Sequence, residues 1–398
     1  MSATTIYYFV RPTDSLFIRG NLAFGDSGEH GASQMPPPPS LFAGAFRSAI
    51  LGHDAAHMAQ FLAGQPLADP ARARCLGSYA QPGAFRLAWL SLAGHKKGQV
   101  VPEAVVPLPA DLVVLDKTLA PLIPKAFSAG VVSAGDLPMR ANLHSKKQEK
   151  PSTGIYLRAS GLQDHLSGKL PNDASQALAG QLFQRDPRLG IGLNADSRTA
   201  EEGLIYTTEG YAFSPAADGD DKPTPFASTG FLVGLNGVVD VLPDQGSLRL
   251  GGDGRSATYQ RVAFKPPTAD KLAANKKFRL ILQTPALFSQ GWLPDGVVQE
   301  EGTYRLQGAG FSARLACAAI GRREIVSGWD LHGWKPKPAQ AAVPAGSVYW
   351  FDEFEGDAGK LAQWVQGGLW LENQTALDTT HKMRRTEGYN LALPGIWN

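Results

Sequence analysis

The stretch of this chain with the clearest chemical potential is Asp244-Gln-Gly-Ser-Leu-Arg-Leu-Gly-Gly-Asp-Gly-Arg-Ser-Ala-Thr-Tyr-Gln-Arg-Val262. It holds four glycines (Gly246, Gly251, Gly252, Gly254) and three arginines (Arg249, Arg255, Arg261) between ends that read as extended, with Leu248, Leu250, Tyr259 and Val262 among β-tolerant neighbours. Glycine has no Cβ, so it reaches positive φ and leaves backbone N–H groups approachable, while arginine neutralises charge. A loop of this kind is suited to cradling phosphate. The competing reading is a glycine-rich hairpin turn with solvated arginines. Leu250-Gly-Gly-Asp-Gly-Arg255 lacks the Lys-Ser/Thr of a P-loop, so nucleotide hydrolysis is not implied.

Other reactive residue types form no set. His30, His53, His57, His95, His144, His165, His332 and His381 show no spacing for a metal site and no Ser-His-Asp order. His30, in the loop before the first helix, is where a general base is looked for. Cys75 and Cys317 lie far apart in apolar surroundings with no Cys-x-x-Cys spacing, which suits a reducing cytosol. No cofactor and no metal are expected. Arg140, His144, Lys146, Lys147 and Lys150 form a basic run that reads either as a solvated loop or as a polyanion contact. Lys382, Arg384 and Arg385 are weighed the same way.

The elements that must position these groups are short and loop-rich. The chain has 398 residues, 44 of them glycine and 29 proline, well above ordinary usage, and 43% hydrophobic content. That length predicts two to three domains with ordinary cores. A net charge of +2 does not announce a nucleic-acid binder, so any basic surface is local. The first residues lack a basic-then-apolar leader and no apolar run reaches about 18 residues, so a cytoplasmic chain without membrane contact is expected.

In chain order, Thr4–Val10 reads as a buried strand and Leu41–Leu51 as a helix with Ser40 as its N-cap after a proline run. A second helix is predicted over Ala55–Leu62, strands over Arg86–Ala93 and Val100–Leu108, and a short helix over Leu178–Asp186. Arg188–Tyr206 reads as a hairpin with a polar tip, Ala216–Pro225 as an exposed loop, and Phe231–Leu242 and Lys277–Thr284 as strands. Further strands follow at Leu315–Gly321, Ile325–Ser327 and Gly346–Phe351, then a helix over Ala358–Trp364. Trp292, Trp329 and Trp334 read as packing residues. The pattern is α+β, with two similar halves.

The order of motifs resembles the RAMP-superfamily subunit that is third-named in type III-B (Cmr) CRISPR effector complexes. The matching pieces are Pro36-Pro-Pro-Pro-Ser-Leu-Phe-Ala-Gly-Ala-Phe-Arg47, Arg188-Leu-Gly-Ile-Gly-Leu-Asn194 with Glu202-Gly-Leu-Ile-Tyr206, and Leu250–Arg255. Further on come Thr284-Pro-Ala-Leu-Phe-Ser-Gln-Gly-Trp-Leu-Pro294, Ile325-Val-Ser-Gly-Trp-Asp-Leu331, Pro338 with Val343-Pro-Ala-Gly-Ser-Val-Tyr-Trp-Phe351, and the tail from Glu387-Gly-Tyr389 to Gly395-Ile-Trp397. The joint order spans the chain; any one piece alone is weak.

That resemblance implies two ferredoxin-like RAMP domains of RNA-recognition type, placed at 1–210 and 226–398, with long loop and hairpin insertions. It implies binding to the 5′ repeat-derived handle of a CRISPR RNA (crRNA) and bridging of the large polymerase/cyclase-like subunit to the repeated RAMP backbone subunit. It also implies no cleavage by this chain. The alternatives are a metal-independent crRNA-processing endoribonuclease of the same superfamily, or a structural bridge without RNA specificity. The expected RNA contacts are Arg19, Asn21, Ser40, Gly44 and Arg47 around the helix start, Arg188 and Arg198 on the hairpin, and Arg249, Gly251, Gly252, Gly254 and Arg255 on the loop.

Overall fold

The computed structural model describes residues 4–18, 30–31, 35–128, 136–145, 149–194, 196–213, 225–252, 254–269, 272–273, 275–300, 302–330, 333–371 and 379–398. The predicted loop 216–225 lies almost wholly outside them.

The strands that matter here are β1 (Thr5–Pro12), β2 (Arg86–His95), β3 (Glu103–Pro107), β4 (Ile155–Arg158), β5 (Gln176–Leu178), β6 (Gln184–Leu193), β7 (Ala200–Ala212), β8 (Ser228–Asn236), β9 (Gln245–Arg249) and β10 (Ser256–Val262). After them come β11 (Phe278–Leu282), β12 (Val297–Glu300), β13 (Thr303–Gly308), β14 (Phe311–Ala319), β15 (Trp329–Asp330), β16 (Lys335–Pro336), β17 (Val348–Gly356) and β18 (Ala392–Ile396). The helices are α1 (Pro39–Ile50), α2 (Ala55–Leu62), α3 (Pro70–Leu76), α4 (Ala159–Leu166), α5 (Ala358–Gln366) and α6 (Thr379–Glu387).

Two large antiparallel sheets organise the fold. The first has the order β9-β10-β1-β8-β2-β3-β4-β5 and the second β12-β13-β14-β17-β11-β18. In each, four consecutive strands, numbered by their sequence order, run 4-1-3-2: β10-β1-β8-β2 and β18-β11-β17-β14. Since β1 and β2 are both antiparallel to β8, they are parallel to each other, and a connection carrying α1, α2 and α3 spans them. In the second sheet, α5 and α6 occupy the connection from β17 to β18. Strands β8 and β10, beyond residue 226, thus share a sheet with β1.

Alternation along the strands explains how the sheets meet. On β1, Ile6, Tyr8 and Val10 join a core with Phe42 and Phe46 of α1, while Phe9 points to the other face. On β11, Phe278, Leu280 and Leu282 pack on α5 residues Leu361 and Val365, while Ile281 turns outward. Phe9, Trp89 and Leu232 of the first sheet thereby cluster with Ile281, Cys317, Val348 and Trp350 of the second. Arg279 shares that face of β11 with Ile281 and is buried. Its guanidinium donates to Asp111 Oδ2 at 2.6 Å and to the His165 carbonyl, and His165 Nε2 lies 2.8 Å from Asp111 Oδ1.

Two local expectations need correction. Helix α1 starts at Pro39, with Pro38 extended before it, and no side chain caps it. Proline fixes φ near the helical value and has no N–H to satisfy, so the two prolines set the start and Ser40 falls inside the first turn. Its hydroxyl meets the Tyr389 hydroxyl at 3.1 Å. Residues 178–186 form no α-helix: Leu178 pairs with Ile155 in the sheet, Ala179–Gln181 make one 3-10 turn, and β6 begins at Gln184. The ladder takes the backbone groups a helix would have used.

Candidate nucleic-acid interface

The glycine-arginine stretch forms the β9–β10 hairpin and its tip. Leu250 N–H donates to the Arg255 carbonyl at 2.8 Å, closing the loop, and Gly252 N–H donates to the Phe17 carbonyl at 2.8 Å, docking it on the chain after β1. Gly251 has φ +84°, and a Cβ there would stand 2.7 Å from the Phe17 carbonyl oxygen, so only glycine fits. Gly254 has φ +67° and open space around it. The stretch is therefore a hairpin turn, packed on Phe17 at Gly251 and open at Gly254.

That loop forms one wall of a cleft of about 470 Å³. Ser40, Gly44 and Arg47 of α1 form a second wall, and Arg249, Gly251 and Gly252 face them. The third wall comes from the second half: Gly328, Trp329, Asp330 and Lys337, with Glu387 of α6 behind them. Gly44 is exposed and a Cβ there would touch nothing within 4 Å, so its smallness widens the cleft and serves no packing need.

Charge in the cleft floor is ordered around Glu387, which is 3% exposed. Lys337 Nζ and Arg384 Nη1 reach its two oxygens at 2.9 and 3.1 Å. Burial alone would push the Glu387 carboxyl up, but Lys337, Arg384 and Arg47 outweigh it and hold it below the usual carboxylate range. Arg47, expected as a free phosphate ligand, is instead buried: it donates to Thr386 Oγ1, and its guanidinium carbon lies 4.9 Å from the Phe85 ring centroid. Burial lowers its pKa and Glu387 opposes that. Tyr79 OH donates to Asp330 Oδ1 at 3.0 Å, and burial followed by that carboxylate pushes its pKa up to about 12. Four cations (Arg47, Arg249, Lys337, Arg384) thus stand around two carboxylates (Asp330, Glu387), and Arg249 is exposed at the edge.

Arg188 and Arg255 lie on the Phe17 side of the same loop and are tied to acids. Arg255 ion-pairs with Asp14; Arg188 reaches Asp186 at 2.8 Å and Asp14 at 3.5 Å. The Ser15 amide, then Arg255 and Arg188, hold the Asp14 carboxyl low. Gly254 is beside them. Arg198 is apart, exposed at the tip of the β6–β7 hairpin with φ +57°. The hairpin pairs as expected, but Ile191 and Leu193, expected to pack, face solvent together with Leu189 and Ile205. Arg19 and Asn21 lie outside the described residues, although Phe17 and Ile18 just before them line the cleft. Lys146, Lys147 and His332 are also outside, and of His30 only the backbone is described.

Several cleft residues carried no readable signal. Lys337 and Glu387 each sit among other charges (Lys335; Lys382, Arg384 and Arg385) with nothing local to single them out, and α6 (Thr-Thr-His-Lys-Met-Arg-Arg-Thr-Glu) has only Met383 as an apolar residue, too few to show helical periodicity. Trp292, Trp329 and Trp334 differ from the packing role expected of them, being 38%, 49% and 74% exposed.

Residues 8–397 match the family described as CRISPR-associated protein (Cas_Cmr3). No curated protein matches the chain. Two solved chains share the fold. One is described as "Cryo-EM structure of the Type III-B Cmr-beta bound to cognate target RNA and AMPPnP, state 1", with TM-score 0.52, 14% identity, and coverage of 97% of this chain and 95% of that one. The other is described as "Cryo-EM structure of the Type III-B Cmr-beta bound to cognate target RNA", with TM-score 0.50, 14% identity, and coverage of 97% and 96%.

Proposed function

The chain belongs to the CRISPR-associated Cas_Cmr3 family, and from that premise we propose that it is a non-catalytic RNA-binding subunit of a cytoplasmic type III-B Cmr complex. In this reading the 5′ repeat-derived handle of the crRNA occupies the cleft, and the chain bridges the large polymerase-like subunit to the repeated RAMP backbone subunit. The observation that carries it is the meeting of Ser40, Gly44, Arg249, Gly251 and Gly252 in one cation-rich cleft. An approachable glycine backbone and clustered cations suit the phosphates of a single strand.

The 4-1-3-2 strand orders support reading each half as a ferredoxin-like unit of RNA-recognition type that keeps one crossover helix set and replaces the other with strands. We place the boundary between the units within residues 263–277, because β8 and β10 pair with β1. Four of the described histidines are engaged by neighbouring groups. His53 meets Ser48 Oγ at 3.2 Å, His57 and His95 each meet a backbone carbonyl at 3.3 Å, and His165 is buried on Asp111. Among the described residues no group of three or more His, Cys, Asp or Glu is placed to hold a metal ion.

Affinity purification of the tagged chain from its own cells, with sequencing of the bound RNA and identification of the co-purifying subunits, tests the proposal. RNAs sharing one repeat-derived 5′ end are expected. RNAs with no common end, or the chain alone, would refute it.

A further inference from the structure

The β15–β16 hairpin belongs to the second half and lines the cleft through Trp329 and Asp330. Its base is tightly held: Lys337 N–H donates to the Gly328 carbonyl at 2.8 Å, Ser327 Oγ to the Lys337 carbonyl at 2.7 Å, and Arg384 Nη2 to the Ser327 carbonyl at 3.1 Å. Asp330 on β15 also receives the Tyr79 hydroxyl from the first half. On this anchored stalk stand two indoles, Trp329 lining the cleft rim and Trp334 beside it.

Their geometry is unusual in three ways. Both are largely exposed, although indole gains most from burial. Trp334 has φ +48°, a backbone region that bulky residues avoid and that persists where function demands it. The rings are 5.8 Å apart at 87°, an edge-to-face contact, which leaves at least one face of each indole outside the pair. Among the described residues, the flanks Gly333, Lys335 and Pro336 are exposed. The pair stands beside the exposed Lys335, at the rim of the cation-lined cleft. It fits a flat aromatic group attached to an anionic backbone.

We infer that Trp329 and Trp334 form a stacking platform for one unpaired nucleobase of the RNA whose phosphates enter the cleft. The inference rests on the RNA-binding function proposed above and adds which side chains hold a base. Bases of every kind have a π-face, so the platform contributes affinity and fixes the position of one nucleotide without selecting its identity. Lys335, on the same hairpin, lies within the reach of an adjacent phosphate.

The test uses the assembled complex with guide RNAs carrying 2-aminopurine at one handle position at a time, since stacking quenches this base. In the native complex one position is expected to be quenched. In the Trp329→Ala/Trp334→Ala double variant that position brightens several-fold and RNA affinity falls about tenfold, the loss of one stacked base; Trp329→Phe/Trp334→Phe restores most of both. Unchanged fluorescence and affinity in the alanine variant, with RNA still lost on Arg249→Glu, would overturn the platform and leave the RNA-binding function standing. So would loss of a neighbouring subunit from the alanine variant with its RNA signal intact, which would make the patch a protein contact. Absence of RNA from the native complex would defeat the platform along with the function it rests on.

Discussion

Arg188 and Arg255 converge on one ring: their guanidinium carbons lie 5.5 and 5.1 Å from the Phe17 ring centroid, and both pair with Asp14. The β6–β7 hairpin and the glycine loop are thereby joined through the chain that follows β1. Asp14 and Asp186 offset both charges, so these arginines orient the walls of the site, and the cleft behind them keeps a net positive charge, with Arg249 exposed at its edge.

Under the proposed function, that arrangement makes Asp14 a brake on RNA binding. In Asp14→Ala, Arg255 loses its carboxylate and turns to phosphate, so RNA affinity at low salt should rise several-fold. The slope of log affinity against log salt should steepen by roughly 0.7 for each phosphate gained. Arg255→Glu should do the reverse. Filter binding across a salt series reads both; equal slopes in all three proteins would remove this cluster from the RNA path.

Gly251 and Gly254 separate steric need from conformational need. Both have positive φ, but only at Gly251 does a Cβ meet backbone. Gly254→Ala should cost about 1–2 kcal/mol of stability from the left-handed backbone alone. Gly251→Ala should cost more and also weaken RNA binding, because it pushes the loop off Phe17. Urea denaturation of the two variants provides the comparison, and equal losses would show that the Phe17 contact does not constrain the loop.

The Asp111–His165–Arg279 cluster joins the two halves through buried charge. Asp111 is 1% exposed and Arg279 8%. Asp111→Ala strands the guanidinium, a change that typically costs about 3–5 kcal/mol, whereas pairing it with Arg279→Met should recover much of the loss. A double variant no more stable than Asp111→Ala would mean that the loss comes from packing and not from the unpaired charge.

His165 gives the same cluster a pH dependence. Burial lowers its pKa, Asp111 opposes and Arg279 adds to the lowering. The folded chain therefore refuses a proton that the unfolded chain accepts below the ordinary imidazole value of about 6.5. The His165 contribution is present in full above that value and is lost as pH falls through it. Thermal melts between about pH 5 and 7 should show a shallower decline for His165→Gln than for the native chain. Parallel curves would argue that His165 is not buried neutral.

How much of this was readable beforehand depends on the kind of signal. The hairpin 188–206 and the helices at 41–51 and 55–62 were legible because turn residues and apolar spacing are local. The gathering of Gly44, Arg249 and Gly251 in one cleft was legible only through motif order. The burial of Arg47 was not: its partners Phe85 and Thr386 are distant in sequence, and nothing around residue 47 distinguishes a buried arginine from a solvated one. The exposed tryptophans were misread for the matching reason. Indole beside Gly and Pro suits a core as well as a rim, and only the hairpin's anchorage on Arg384 and Tyr79 decides between them.

The most direct test of the central claim is to load the assembled complex with crRNA carrying photoreactive 4-thiouridine in its 5′ handle, irradiate it, and sequence the cross-linked peptides. The account predicts cross-links from handle positions to peptides containing residues 36–47, 249–255 and 328–337 of this chain. Handle cross-links confined to other subunits, or to surfaces of this chain remote from the cleft, would contradict it.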